Sequence, residues 1–274
     1  MTSVTFFLFL VNLALGIVVL LPFVPRAEIG NGFHRFNAMT AGLLLLVGVG
    51  VRILQPADAA SGLFVPSAFG LGSAVAFLAA TALYWLSLRF EADGLQKLAL
   101  GVAVIAGVAT VVGYARDFGG RLGGEPWLRA LVVAHGLASA LVLGSVVFTM
   151  ILGHWYLVVP RLSIRFLQKH SRIFLGSVLS RAALALVTLG LYAAFGWPGG
   201  FAFTADALVS DGFFLVPRLL FGVGGALVLG ALVVRTAAIG STQSCTGILY
   251  GAVVLVLFGE LSASWLLVSQ ALLL

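Results

Sequence analysis

The sequence is poor in almost everything a soluble enzyme uses for chemistry. It holds one cysteine, Cys245, which excludes an intrachain disulfide framework and any zinc or iron–sulfur site made from this chain's thiolates alone. Charged residues make up 9% of the chain, against roughly a quarter in soluble domains. There is no GxxxxGK[ST] loop for nucleotide phosphates, no HExxH, no CxxCH and no paired-aspartate motif of the kind that holds a Mg²⁺-diphosphate. No apolar run contains a lysine suited to a Schiff base, and the arginines form no ladder for voltage sensing. These absences argue against a self-contained ATP-driven pump or a soluble-type hydrolase.

Apolar length is what the chain has in abundance. Hydrophobic residues are 61% of the sequence and the mean hydropathy is +1.16. Crossing roughly 30 Å of hydrocarbon takes about 20 apolar residues, and such runs stand at 6–25, 37–55, 66–88, 96–114, 127–158, 173–195, 213–235 and 246–273. The pattern predicts an all-α polytopic membrane protein with eight transmembrane helices. The first run lacks a basic n-region and a small-residue cleavage site before Pro22 and Pro25, so it reads as a retained span. The formal charge of +6 sits mainly at span ends, which signals membrane orientation and not nucleic-acid binding. Connections after the first, third, fifth and seventh spans carry Arg26, Arg35, Arg89, Lys97, Arg161, Arg165, Lys169, Arg172 and Arg235. The others and their flanks carry only Arg52, Arg116, Arg121 and Arg129. The asymmetry predicts both termini on the outer side of a bacterial-type inner (cytoplasmic) membrane.

The same sequence carries the marks of an internal repeat. Val24-Pro25-Arg26-x-x-Ile29 recurs as Val159-Pro160-Arg161-x-x-Ile164, and a histidine follows each copy, His34 and His170. Val65-Pro66 with Phe69-Gly70 and Gly72 recurs, with a single one-residue gap, as Val216-Pro217 with Phe221-Gly222 and Gly224. Gly101-Val-Ala-Val-Ile aligns with Gly251-Ala-Val-Val-Leu. The expectation is two tandem four-helix units, 1–125 and 126–274, related by an axis along the membrane normal. Departures from that symmetry single out charge: Arg181 falls opposite Leu45, Arg218 opposite Ser67 and Glu260 opposite Thr110.

Glu260 stands near the middle of the last span, where an ionised carboxylate costs at least about 2.5 kcal/mol unless paired or protonated. Arg181, on the sixth span, differs from it in depth by roughly 7–8 Å, within reach of an arginine side chain. The pair reads either as a catalytic proton-transfer or quinone-head-group centre or as a structural ion pair locking two helices. His135 shares the fifth span with Gly136, Ala140 and Gly144, a close-contact spacing. It suits a hydrogen bond across that contact or a haem. His154 lies 19 residues further along the same span, about 28 Å on, and with Trp155 and Tyr156 forms an interfacial cluster that anchors the helix or contacts a cofactor. A haem needs a second axial ligand. His34 and His170 read as preceding their helices, and Met150 shares a helix with His154 and approaches from the same side. No metal site is expected. The loop 161–172 reads as a positive-inside signal, and the segment with Trp197, Phe201 and Phe203 as an apolar loop on the outer surface or beneath a partner.

Two four-helix units, Gly259-Glu260 in mid-membrane and little extramembrane mass resemble the eight-helix quinone-interacting membrane anchor subunits of the polysulfide and DMSO reductase type. The resemblance implies at most a subunit of an oxidoreductase complex, one that sits in the bilayer, holds other membrane and extrinsic redox subunits, and contacts a quinone or haem b. Two alternatives stay open: a small secondary transporter of a lipophilic substrate or metal ion, and a non-catalytic scaffold.

Overall fold

The computed structural model describes residues 2–55, 67–90, 93–118, 126–159, 162–196 and 212–274. Val65, Pro66, Arg121, Pro160, Arg161, Trp197, Phe201 and Phe203, invoked above, lie outside that set. The described residues form eight helices long and apolar enough to span a membrane: α1 (Thr2–Leu20), α2 (Asn31–Leu54), α3 (Ala68–Ser87), α4 (Asp93–Asp117), α5 (Pro126–Val158), α6 (Arg165–Phe195), α7 (Gly212–Ala238) and α8 (Thr242–Gln270). A 3₁₀ turn, Leu21–Phe23, prolongs α1, and one helical turn, Arg26–Ile29, links it to α2. The protein is a polytopic, all-helical membrane protein whose outward apolar side chains, such as Leu46, Ile105 and Leu186, meet lipid.

Helices α2 and α6 begin earlier than hydropathy suggests, at Asn31 and Arg165. The opening of α6 is amphipathic. Phe166, Leu167, His170, Ser171 and Phe174 are buried on one face while Arg165, Lys169 and Arg172 are exposed on the other, so the helix continues through the head-group layer where an average over its residues looks polar. His34 and His170 therefore lie inside helices, not before them, and both are buried.

His34 acts as a clasp. Its Nε2–H donates to the Val24 carbonyl and its Nδ1 accepts from the Tyr84 hydroxyl, each at 2.9 Å, joining the end of α1 to α2 and α3. Tyr84→Phe leaves Nδ1 buried without a donor and should cost about 1–3 kcal/mol, measurable as a lower unfolding midpoint in detergent. The exposed pairs Arg26–Asp93 (2.9 Å) and Arg165–Glu28 (2.7 Å) tie connections together on the same side and contribute about 0–1 kcal/mol each.

Helix α1 is the most enclosed span and packs chiefly on α2 and α5, with α4 and α8 alongside. α5 in turn meets α1, α6, α8 and α4. The remaining neighbours run in chain order, α2 on α3, α3 on α4, α6 on α7 and α7 on α8. The α1–α5 crossing is backbone on backbone: a Cβ on Gly16 would lie 1.8 Å from the Ala140 carbonyl oxygen, and one on Gly144 would lie 2.1 Å from the Gly16 carbonyl carbon. The small-residue spacing on α5 is thus the contact with α1, and Gly136 extends it to the Tyr114 hydroxyl of α4.

α7 carries an irregularity absent from the hydropathy pattern. Arg218–Gly225 is π-helical, between α-helical turns on either side. There Gly222 meets Gly259 of α8, where a Cβ on Gly259 would lie 2.1 Å from the Gly222 Cα. α8 ends on Ala271 in the left-handed region, and Ala271–Leu274 tuck back into the core with every residue buried.

Candidate functional site

The charged residues of α6, α7 and α8 converge. Glu260 is 1% exposed, directly after the Gly259 crossing that lets α7 and α8 approach. Its Oε1 accepts from Arg218 Nη1 at 2.6 Å, and Arg181 Nε lies 3.3 Å from the same oxygen and 3.4 Å from Oε2. Arg181 Nη2 lies 3.4 Å from Oε2 and donates to the Leu274 carbonyl at 2.6 Å. Arg181 Nη1 donates to His135 Nδ1. Because Nδ1 accepts, Nε2 carries the imidazole proton, and it donates to Thr188 Oγ1 at 2.7 Å, which itself donates to the Leu184 carbonyl. The result is one ordered chain, Arg218–Glu260–Arg181–His135–Thr188, drawn from four helices.

Electrostatics explains its compactness. In hydrocarbon a guanidinium or carboxylate is tolerated only with an opposite charge and hydrogen bonds at hand. Glu260 faces two guanidiniums, and all three nitrogens of Arg181 are engaged. Arg218 Nε and Nη2 have no hydrogen-bond partner among the described residues, which hold that guanidinium through Nη1.

Beside the cluster is a cavity of about 30 Å³ lined by Asn12, Tyr114, His135, Ser139, Arg181 and Glu260, among others. That is room for a water molecule with polar partners on several sides. The Tyr114 hydroxyl donates to Asn12 Oδ1 at 3.1 Å, bringing α1 and α4 to the same place.

Of the residues singled out by sequence, Glu260, Arg181 and His135 therefore come together, while His154, Trp155 and Tyr156 stand at the other end of α5. Tyr156 faces away from His154's surroundings: its hydroxyl donates to the Ser163 carbonyl and accepts from the Leu167 amide, fastening the start of α6. His154 is exposed, its Nδ1 3.4 Å from the Tyr250 hydroxyl, at the edge of a groove of about 430 Å³. A haem does not fit at His135. Both ring nitrogens are hydrogen-bonded and the adjoining cavity is water-sized. His34 holds both nitrogens in the clasp, and His170 bonds its own helix through Nδ1 and stacks on Phe148. Comparison with protein-family models, characterised proteins and solved structures returns no match to this chain. The site therefore has to be read from its own chemistry.

Sequence reasoning did not assign Arg218, Asn12, Tyr114 or Thr188 to this site. Arg218 left a signal, as one of three charges in the second half without a counterpart in the first. Asn12 was the only strongly polar side chain of its span. Tyr114 and Thr188 are residue types common in any span, and nothing in the sequence distinguishes them.

Proposed function

We propose that the chain is an integral membrane subunit of an electron-transfer complex, and that Glu260 with Arg181, Arg218 and His135 is its proton-handling centre. The observation that carries this reading is the convergence of the charged side chains of α6, α7 and α8 on one buried carboxylate beside a water-sized cavity. Arginine keeps its proton throughout the ordinary pH range, so Glu260 and the neutral His135 are the members able to exchange one. The two guanidiniums hold the carboxylate's charge in mid-membrane. A cavity of about 30 Å³ has room for a water molecule but no larger solute, which favours this reading over transport of a hydrophilic substrate.

The same proposal places both termini on the outer side of a bacterial-type inner membrane, extrinsic redox partners at the surfaces, and the chain in two tandem four-helix units, 1–125 and 126–274. Support for the units comes from packing that treats the halves alike. α1 and α5 meet each other, α8 lies against α1 as α4 lies against α5, and the matched glycines Gly70 and Gly222 both sit at backbone crossings, with Gly113 and Gly259.

The test uses the complex that co-purifies with this chain from its native membrane. Glu260→Gln retains size and one acceptor oxygen while removing the charge, the second acceptor and the exchangeable proton. Quinol-dependent electron transfer by the assembled complex should fall about a hundredfold, the lower range of a general acid–base contribution. Unchanged turnover, or the lack of any co-purifying redox protein, would reject the proposal.

A further inference from the structure

The second built feature lies about 28 Å from His135 along α5, at the end of the bundle flanked by Arg165, Lys169 and Arg172. There α2, α5 and α8 leave a groove of about 430 Å³ lined by Phe36, Met150, Ile151, His154, Trp155 and Tyr250. Its volume falls within the roughly 300–1,000 Å³ of small-molecule sites. The groove opens to the surface at the boundary between hydrocarbon and head groups, since His154 stands four residues before the end of α5 at Val158.

We infer that this groove binds the head ring of a neutral, lipophilic, carbonyl-bearing molecule of the quinone class. Three features select that chemistry. The walls are aromatic and thioether, suited to stacking against a flat ring. The polar groups that face it are hydrogen-bonding side chains without a fixed charge, the Tyr250 hydroxyl and the His154 imidazole, 3.4 Å apart. Two such groups side by side suit one shared acceptor, a carbonyl oxygen. Finally, no lysine or arginine is among the described residues that line the groove, which sets it apart from a phospholipid phosphate site, where a cation is the expected partner.

The cavity at Glu260 is too small for such a ring, so the ligand site and the proton site are separate places on one helix, His154 near one end and His135 towards the other. His154 and Tyr250 already approach each other to 3.4 Å. A carbonyl oxygen between them replaces a long, weak contact with two ordinary hydrogen bonds, and the ligand's isoprenoid or alkyl tail runs out along α2 and α8 into lipid. The choice of the quinone class among carbonyl-bearing rings rests on the electron-transfer reading above.

The experiment is equilibrium binding of a radiolabelled short-tailed benzoquinone to the full chain in nanodiscs, corrected for partition into empty discs. Saturable binding of about one molecule per chain is expected, weakened at least tenfold in the double variant His154→Ala, Tyr250→Phe. Both double-variant residues are exposed, so the fold should be retained, and an unchanged unfolding midpoint would verify it. Non-saturable uptake, or saturable binding indifferent to the double variant, overturns the assignment. So does full displacement of the quinone by added anionic phospholipid, which identifies a lipid as the occupant. Failure here with an intact effect of Glu260→Gln on turnover removes the groove alone. Groove binding without quinol-dependent turnover removes the electron-transfer reading instead.

Discussion

Glu260→Ala is expected to be among the most destabilising single substitutions in the chain. It leaves the Arg181 and Arg218 guanidiniums, 5% and 0% exposed at their side chains, facing each other in mid-membrane with no carboxylate between them. Removing one partner of a buried ion pair costs about 3–5 kcal/mol, most of it the penalty on the charge left behind. The unfolding free energy in detergent, taken from the folded fraction against increasing SDS, should fall by that amount. The informative comparison is Glu260→Leu combined with Arg181→Met and Arg218→Met. Replacing every charge with apolar volume is often neutral or stabilising in such sites, so the triple variant should recover the midpoint while remaining without activity. If it recovers both, the cluster is a structural lock and the proton-handling role is lost. If it recovers neither, the surrounding network of His135, Thr188 and Leu274 matters more to the fold than the charge balance does.

Gly16→Ala and Gly144→Ala should come close in severity. At the α1–α5 crossing the atoms in the way are backbone, Ala140 O for one and the Gly16 carbonyl carbon for the other, and backbone cannot change rotamer to make room. Overpacking commonly costs 1–3 kcal/mol when side chains can yield; here about 3 kcal/mol or more is expected, with the halves of the molecule driven apart. Gly42 and Gly50 supply the control, since a Cβ on either meets nothing within 4 Å. Alanine there should be neutral or stabilising by up to about 1 kcal/mol through helix propensity alone. A chain split between α4 and α5 and co-expressed as two pieces gives a direct readout: the pieces should co-purify with Gly16 and Gly144 intact and separate when either is alanine.

The eight spans were legible because a bilayer imposes a length on apolar runs that few other constraints imitate. The α1–α5 contact was legible as Gly136, Ala140 and Gly144 on α5, though not that Gly16 would receive it. The Arg181–Glu260 pair followed from depth along two helices. Depth says nothing about azimuth, however, and that is why Arg218, the shortest bond to Glu260, was not assigned to the site. The early starts of α2 and α6 were hidden because hydropathy averages over a turn whose two faces differ. Asn12 with Tyr114, and Thr188 with His135, are pairings between distant spans that only the packed bundle brings together.

The one-residue gap that separates the two Val-Pro…Phe-Gly copies falls between Pro217 and Phe221, at the start of the π-helical stretch of α7, while α3 is α-helical throughout Ala68–Ser87. A π-helical turn is what a helix forms when it takes in one extra residue without breaking, and each added residue rotates what precedes it by about 100°. Ser67, the matched position, is the extended N-cap of α3, whereas Arg218 lies within α7; on the proposed duplication, the extra residue and the continued helix together carry the arginine to Glu260. The irregular turn and the electrostatic centre would then share one origin, an evolutionary step in which geometry and charge were acquired together.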